Sequence, residues 1–375
     1  MLTTDQQYIR LLLRESLKRE KTEQITPVDN RVVANIITRN SILLTVYQKL
    51  PADLKEQLKD RYNVAIKQSI VQDYEGELVL KALSDAGLSC IALKGWKLRK
   101  LYPEPTMRQM ADLDILVRPY NFDQIKSVMD RLCFTFGTES SWKHDSFKKK
   151  DVHVEMHKRL TDDSNAIQSW EKGVWDRAEV VDRNIHRMSP EDYYIFHFVH
   201  LHKDFMNGSL GLRRIVDTWL LQKQNVDMNQ VQHWLEKFGM WKFHERMVKL
   251  CRVTMGDEPV DVESEVLLIH AFTYGIYGSG KSYKAGRIVA MGGNVRTGKL
   301  KSKLAAVFLP YKRMKAQFPI LEKWPILLPY YWMKRIIRFL KGDKKKYTRM
   351  IDYSDVKPED YEKMRRFFEA GGVMS

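Results

Sequence analysis

Two aspartates separated by one residue, Asp112 and Asp114, have the type and spacing that most readily support chemistry in this sequence. They belong to the segment DLDILV, whose apolar residues predict a β-strand. Because side chains alternate along a strand, both carboxylates leave from one face, while Leu113 and Ile115 point to the other. Two carboxylates held close together repel each other and favour a hard cation. Such a pair alone is weak evidence for a metal site, since it also occurs on exposed strands and turns.

The segments on either side of this pair add the groups that phosphoryl chemistry requires. Upstream, IALKGWKLRKLY predicts a strand that ends at Lys94 and Gly95, followed by a helix from Trp96. A glycine at such a junction lets backbone N–H groups approach a phosphate. Downstream, VHVEMHKRL alternates as another strand and places Glu155 on its polar face. A third carboxylate beside the pair suits two-metal chemistry, in which one Mg²⁺ holds a triphosphate and the other lowers the pKa of an attacking hydroxyl.

Three hydrophobic patterns must position these groups. Residues 5–85 repeat at helical spacing, with an interruption at Pro51. Short β-type runs between residues 88 and 160 predict a small mixed sheet, and the helical period returns from about residue 190. The last part of the chain contains several prolines, which predict short, kinked helices (Pro310, Pro319, Pro325, Pro329).

The order of the chemical residues resembles one known family, the uncharacterised nucleotidyltransferases of the DNA polymerase β superfamily. These proteins carry Lys-Gly before Arg-x-x-x-Asp-x-Asp, which here is Lys94-Gly95, then Arg108, then Asp112-Leu113-Asp114. The resemblance continues through VEMH, LRRIVD and GIYG and ends with FPILEKWPILLPYYWMKR, so it spans nearly the whole chain. The superfamily more often has Gly-Ser or Gly-Gly where this chain has Gly-Trp, so Trp96 must point away from the phosphates.

The resemblance implies transfer of a nucleoside monophosphate from an NTP, most often ATP, to a hydroxyl acceptor with release of pyrophosphate. Asp112 and Asp114 would bind two Mg²⁺ ions, and Glu155 would bind the ion that activates the acceptor and help to take its proton. The acceptor stays open between an RNA end, a protein side chain and a small metabolite.

The resemblance also implies three nucleotide-binding residues. Gly95 would line the triphosphate, while Lys94 and Arg108 would neutralise phosphate charge. From the residues alone, Lys94 is equally compatible with a solvated lysine at a strand end. Arg108 is compatible with a structural salt bridge to Asp112 or Asp114.

The predicted fold class is therefore α+β, with a polymerase β-like core flanked by helical regions. The predicted divisions are an N-terminal helical region (1–85), the nucleotidyltransferase core (86–185), a helical domain (186–300) and a basic, proline-interrupted helical segment (301–375).

Positive charge is concentrated near the C-terminus. The chain has a net charge of +16, and residues 281–350 contain 19 Lys/Arg against only Glu322 and Asp343. This predicts a polyanionic partner such as RNA, DNA or an acidic membrane surface, although a solvated helical face would have a similar composition. The alternative function is thus a non-catalytic protein of the same fold that binds RNA or an anionic membrane through this segment. The three retained carboxylates argue against it.

Three other patterns suggest different chemistry. GIYGSGKS at residues 275–282 matches the P-loop consensus, but a P-loop follows a buried parallel strand and the sequence before it is helical. His153 and His157 flank Glu155 and would form a His-Glu-His site for a transition metal, although the aspartates favour Mg²⁺. For a third group (His197, His200, His202) helix packing is the better interpretation.

Cysteine content and hydropathy predict a cytoplasmic location. The chain has three scattered cysteines, an N-terminus unlike a signal peptide and no apolar run long enough to span a bilayer. Peripheral contact with a membrane remains compatible with this prediction.

Overall fold

The N-terminal region is helical, as its periodicity predicts. A computed structural model describes residues 1–18, 29–137, 143–161, 165–341 and 352–374. Pro51 separates the longest helix of this region from the helices before it. Proline is tolerated there because the first N–H groups of a helix have no hydrogen-bond partner within the helix. The helices of this region are α1 (Thr4–Lys18), α2 (Asn30–Arg39), α3 (Leu43–Val46) with a 3₁₀ turn (Tyr47–Lys49), and α4 (Ala52–Asp85).

A seven-stranded mixed sheet follows, in the strand order β3-β4-β5-β2-β1-β7-β6. β2 pairs in parallel with β5 and antiparallel with β1, so these three strands form the centre of the sheet. The strands are β1 (Ser89–Ala92), β2 (Leu113–Arg118), β3 (Thr135–Phe136), β4 (His144–Lys149), β5 (Val152–His157), β6 (Glu179–Asp182) and β7 (Ile185–Arg187). The helices among them are α5 (Lys94–Arg99), a 3₁₀ turn (Pro105–Met107), α6 (Phe122–Arg131) and α7 (Asn165–Lys172).

The described residues from 190 onward are again mainly helical. Gly211 precedes α9, and Gly239 adopts a positive φ of 71° after α10, so glycines mark the breaks that the sequence predicts. The helices are α8 (Pro190–Met206), α9 (Leu212–Leu221), α10 (Met228–Lys237), α11 (Trp241–Met255), α12 (Val262–Tyr274), α13 (Gly280–Ala290), α14 (Val295–Val307), α15 (Tyr311–Gln317), α16 (Ile320–Lys323), a 3₁₀ turn (Pro325–Leu327), α17 (Leu328–Lys341) and α18 (Pro358–Ala370).

The predicted α+β class is confirmed, and the runs LSCIAL, DLDILV, CFTF and VHVEM overlap with β1, β2, β3 and β5. The sequence analysis missed β4, β6 and β7. β4 is mostly polar, and all four residues of β6 are exposed, so neither strand has the hydrophobic signal on which the prediction depends. The helix after β1 starts at Lys94, two residues earlier than predicted.

The chain divides into two compact units. The first comprises residues 1–203, 210–277 and 370–375, and the second comprises residues 204–209 and 278–369. The predicted four-part division is not tested by this and stays a prediction. Within the described ranges, no helix is long and apolar enough to cross a membrane.

Trp96 belongs to the hydrophobic core beneath the sheet, together with Val79, Leu113 and Ile115. Its side chain is only 6% exposed. This side chain thus lies in the core, and its direction relative to the phosphates stays a prediction. Its indole ring lies against α4 at Gly76, where a Cβ atom would be 2.5 Å from the ring carbon Cη2. The absence of a side chain at residue 76 therefore makes room for Trp96.

Gly76→Ala is expected to destabilise the fold by about 1–3 kcal/mol, because overpacking outweighs the better helix propensity of alanine. The measurement is the midpoint of chemical denaturation. Gly280→Ala is the control, since a Cβ atom there meets nothing within 4 Å. Equal midpoints for Gly76→Ala and Gly280→Ala would contradict the packing assigned to Trp96.

Candidate active site

Asp114 and Glu155 lie side by side on the two central parallel strands. Their Cα atoms are register partners in the pairing of β2 with β5, so both side chains leave the same face of the sheet. The flanking residues of β2, Leu113 and Ile115, are fully buried on the other face. The alternation that the sequence predicts is therefore present, and it brings together carboxylates that are 41 positions apart.

Asp112 completes a group of three carboxylates. It directly precedes β2 and is partly buried. One carboxylate oxygen from each of Asp112, Asp114 and Glu155 lies within 4.8 Å of the others. All three predicted metal-binding residues thus converge, and they offer the hard oxygen ligands that Mg²⁺ prefers.

Two basic side chains hold Asp114. The ammonium of Lys94 donates to Oδ1 of Asp114 at 2.9 Å, and Nε2 of His157 lies 2.7 Å from the same oxygen. Burial alone would raise the pKa of Asp114, but Lys94 and His157 outweigh it and hold that pKa well below its usual range. Burial lowers the pKa of His157, but its contacts with Asp114 and Glu155 outweigh burial and raise that pKa. Asp114 is therefore a carboxylate anion.

Asp112 has no comparable compensation. Burial, followed by the negative charge of Asp114, raises the pKa of Asp112 to about 6, despite the opposing effect of Lys94. A carboxyl group with a raised pKa beside two other carboxylates gains stability from a bound cation. The three residues therefore fit a divalent metal both in ligand type and in charge.

Lys94 reaches Asp114 from a strained turn. Its φ is +36°, which a residue with a side chain rarely adopts, and its carbonyl accepts a hydrogen bond from the hydroxyl of Tyr193 at 2.5 Å. Its side chain is 29% exposed. The reading of Lys94 as a merely solvated lysine does not describe this structure, since its ammonium faces the carboxylates.

Gly95 and Arg108 lie against each other beneath this turn. A Cβ atom on Gly95 would be 2.7 Å from Nη1 of Arg108, so the glycine leaves space for the guanidinium. The Nε and Nη2 atoms of Arg108 bind the two carboxylate oxygens of Asp217 at 2.7 and 2.8 Å. Asp217 also accepts a hydrogen bond from Tyr102 at 2.9 Å.

Arg108 therefore forms a structural ion pair, but with Asp217 of the LRRIVD motif and not with Asp112 or Asp114. Both partners are buried, and the bidentate geometry occupies the guanidinium. We accordingly interpret Arg108 as a support for the Lys94-Gly95 turn. Its predicted contact with phosphate is not tested by this geometry and stays a prediction.

Nitrogen ligands adjoin the carboxylates on one side. His144, Glu155 and His157 form a second group whose ligand atoms lie within 4.8 Å of one another. The observed group differs from the predicted His-Glu-His group in one member. His153 is exposed, and His144 of β4 takes its place. His144 was missed since β4 itself was missed, whereas the alternation around Glu155 already indicated His157.

The third group of histidines (His197, His200, His202) packs within the helices. Nε2 of His197 lies 2.8 Å from the hydroxyl of Thr218, and the rings of His200 and His202 contact Phe196 and Phe243. Burial lowers the pKa of His197 and of His202 to about 4. The packing interpretation therefore holds for all three.

The P-loop interpretation is excluded by its surroundings. Residues 275–282 connect α12 to α13, so a helix and not a strand precedes them. Ser282 is occupied in a capping box with Ser279, and the ammonium of Lys281 binds Asp360 at 2.8 Å. This glycine-rich segment is a helix connection.

One family of known proteins matches more than half of the chain. A family model described as "Uncharacterised nucleotidyltransferase" matches residues 5–256. Among solved structures, the antibiotic-resistance factor ANT(2'')-Ia is similar over 47% of this chain and 98% of its own, with 12% identity and a TM-score of 0.35. None of the curated proteins searched gives a significant match.

Proposed function

This chain belongs to the family of uncharacterised nucleotidyltransferases, and we propose that it transfers a nucleoside monophosphate from a magnesium-bound NTP to a hydroxyl acceptor. The observation that carries the proposal is the convergence of Asp112, Asp114 and Glu155 beside the ammonium of Lys94. Family membership establishes nucleotidyl transfer in general terms. The metal, the nucleotide and the roles of individual residues are the proposed part.

The three carboxylates would hold Mg²⁺, and the ligand count suits two ions that share the aspartates. When bound, the metal neutralises the triphosphate and lowers the pKa of the acceptor hydroxyl. His157 keeps Asp114 oriented through its 2.7 Å contact, so this carboxylate does not have to reorganise to bind a cation. The His144, Glu155 and His157 group would accept a softer metal such as Zn²⁺.

Lys94 supplies positive charge for the triphosphate, because its ammonium lies 2.9 Å from Asp114 and its side chain is 29% exposed. We assign to Lys94 the binding of the NTP phosphates. Gly95 would bring backbone N–H groups close to the same phosphates.

In the proposed reaction the acceptor oxygen forms a bond to the α-phosphorus, and the bond from that phosphorus to the pyrophosphate oxygen breaks. A carboxylate oxygen of Glu155, which is only half-buried, takes the proton of the acceptor hydroxyl. ATP is the first NTP to test. RNA ends, protein side chains and small metabolites remain the acceptor classes, and a cytoplasmic location remains a prediction.

The direct test of the site is thermal stabilisation by nucleotide. ATP or another NTP with Mg²⁺ is expected to raise the melting temperature, because a ligand that binds only the folded state stabilises it. The same NTP with EDTA should give little shift. If no NTP shifts the melting temperature in the presence of Mg²⁺, the proposed nucleotide site is wrong.

Lys94→Met is expected to change metal and nucleotide binding in opposite directions. Lys94 neutralises Asp114 at 2.9 Å, so its removal should strengthen binding of Mg²⁺ alone. It should weaken NTP binding roughly ten- to a hundredfold, the usual value of a charge-assisted hydrogen bond. Titration calorimetry measures both affinities. Lys100→Met, an exposed lysine just after α5, is the control and should leave both unchanged. Weaker Mg²⁺ binding in Lys94→Met would contradict the expectation that Lys94 and Mg²⁺ compete for Asp114.

A further inference from the structure

The second unit keeps a group of large apolar side chains at its surface. Their exposed fractions range from 46% at Ile337 to 82% at Ile326. Single exposed apolar residues are ordinary, whereas a contiguous group of them marks an interaction site. We call this group the apolar strip (Trp324, Ile326, Tyr330, Met333, Ile337).

The strip follows one side of α17 and the 3₁₀ turn before it. Four of its members are separated by four, three and four positions, which is the spacing of a single helix face (Ile326, Tyr330, Met333, Ile337). Trp324 comes just before the turn and extends the strip at its N-terminal end. Lys334 lies on the same exposed face of the helix.

The other side of α17 is fixed within the unit. The indole N–H of Trp332 donates to the carbonyl of Leu309 at 2.9 Å, and the ring of Tyr331 packs on Phe318 with centroids 4.5 Å apart. Helix α17 is thus anchored by one face and presents the strip on the other.

The segment of the sequence that carries the strip is strongly basic. Residues 295–341 contain twelve Lys/Arg and one acidic residue, Glu322. That acid is already paired, since its carboxylate accepts from Lys315 at 2.6 Å. A partner must therefore tolerate a positive field while it covers aliphatic and aromatic side chains.

Three partner classes differ in how well they meet this requirement. A second copy of the chain would bring the same positive charge to the interface and be repelled. Single-stranded RNA would use the cations and stack on aromatic rings, but Ile326, Met333 and Ile337 offer no ring for a base. An anionic membrane surface accommodates all the groups, because aliphatic residues enter the acyl boundary, Trp and Tyr favour the interface, and Lys and Arg face lipid phosphates.

We infer that the apolar strip docks the second unit on an anionic membrane surface, with α17 lying in the plane of the interface. This interaction goes beyond nucleotidyl transfer and does not depend on it. It assigns a role to the basic segment, which takes no part in the carboxylate site.

Flotation of the full-length protein with lipid vesicles tests this inference. Vesicles of equimolar phosphatidylcholine and phosphatidylglycerol should carry the protein upward, and vesicles of phosphatidylcholine alone should not. The double variant Ile326→Ser with Ile337→Ser should lower the apparent partition coefficient about tenfold or more, since it removes two inserted side chains. Binding should also shift the tryptophan emission to shorter wavelength, and Trp324→Phe should reduce that shift.

The matched control is Val64→Ser with Ile70→Ser, which removes two aliphatic side chains from α4 that are also exposed, at 67% and 57%. This variant should float like the unmodified protein. The NTP-dependent thermal shift should be the same in both double variants, so a failure of the membrane inference is separable from a failure of the proposed nucleotide site.

Any of four outcomes would overturn the inference. The protein does not float with anionic vesicles, or the strip variant floats as well as the control. Alternatively, the strip variant loses affinity for single-stranded RNA while vesicle binding is unaffected. A dimer seen by analytical ultracentrifugation that dissociates in the strip variant would instead assign the strip to self-association.

Discussion

Asp112→Asn is expected to lower nucleotidyl transfer by about a thousandfold or more, because the loss of a metal-binding carboxylate removes several kcal/mol of transition-state stabilisation. The melting temperature without ligand should stay the same or rise slightly. The reason is that Asp112 carries a pKa raised to about 6 by burial and by Asp114, so its charge is unfavourable in the folded protein. The measurements are pyrophosphate release with the productive acceptor and the melting temperature with and without Mg²⁺ and NTP.

The combination of a stable fold and a lost metal response distinguishes a ligand from a structural residue. Asp151→Asn is the control, because Asp151 is an exposed carboxylate in the turn that leads into β5. It should retain both activity and the Mg²⁺-dependent thermal shift. An Asp112→Asn protein that still binds Mg²⁺-NTP with unchanged affinity would remove Asp112 from the proposed site.

Asp217→Asn is expected to destabilise the protein by about 3–5 kcal/mol, the cost of leaving a buried charge without its partner. Asp217 is fully buried and binds the Arg108 guanidinium through both carboxylate oxygens. Activity should fall as well, because Arg108 lies against Gly95 under the turn that carries Lys94. The free energy of unfolding from chemical denaturation measures the first effect.

Two comparisons make this prediction specific. Asp85→Asn removes a carboxylate that binds Arg183 at 3.0 Å on the surface, and it should cost less than about 1 kcal/mol. Replacement of both buried partners, Arg108→Met with Asp217→Leu, should recover part of the lost stability, since no unpaired charge remains. If Asp217→Asn lowers the free energy of unfolding no more than Asp85→Asn does, the buried pair of Arg108 and Asp217 does not support the turn.

We also expect the ion pair of Arg108 and Asp217 to make the protein less stable in acid. Burial would raise the pKa of Asp217, but Arg108 outweighs it and lowers the pKa below the usual value. A carboxylate with a lowered pKa contributes its stabilisation in full above the pKa of the unfolded chain, about 4, and loses it as the pH falls further. The stability difference between the unmodified protein and Asp217→Asn should therefore shrink as the pH falls through the folded-state pKa of Asp217.

The carboxylate site was predictable because it depends on local alternation. Leu113 and Ile115 must face the core, and this fixes the direction of Asp112 and Asp114 without knowledge of the rest of the fold. Glu155 is fixed in the same way by the buried residues of β5. In a small mixed sheet, β2 and β5 are then expected to lie beside each other.

The supporting contacts were not predictable from local pattern. Arg108 and Asp217 are 109 positions apart, and no periodicity relates them. A charged residue in a helix such as α9 usually faces solvent, so the sequence gives no sign that Asp217 is buried. His144 was missed for a related reason, because β4 is short of apolar residues and is recognisable only by its pairing with β5.

The central claim is that Asp112, Asp114 and Glu155 catalyse nucleotidyl transfer. Its most direct test is incubation of the unmodified and Asp112→Asn proteins with Mg²⁺ and α-³²P-labelled NTPs, alone, with total RNA and with a metabolite extract. Protein, RNA and small molecules are then separated. We expect label in one acceptor pool with the unmodified protein and none with Asp112→Asn. Equal labelling by both proteins, or label in no pool, would contradict the claim.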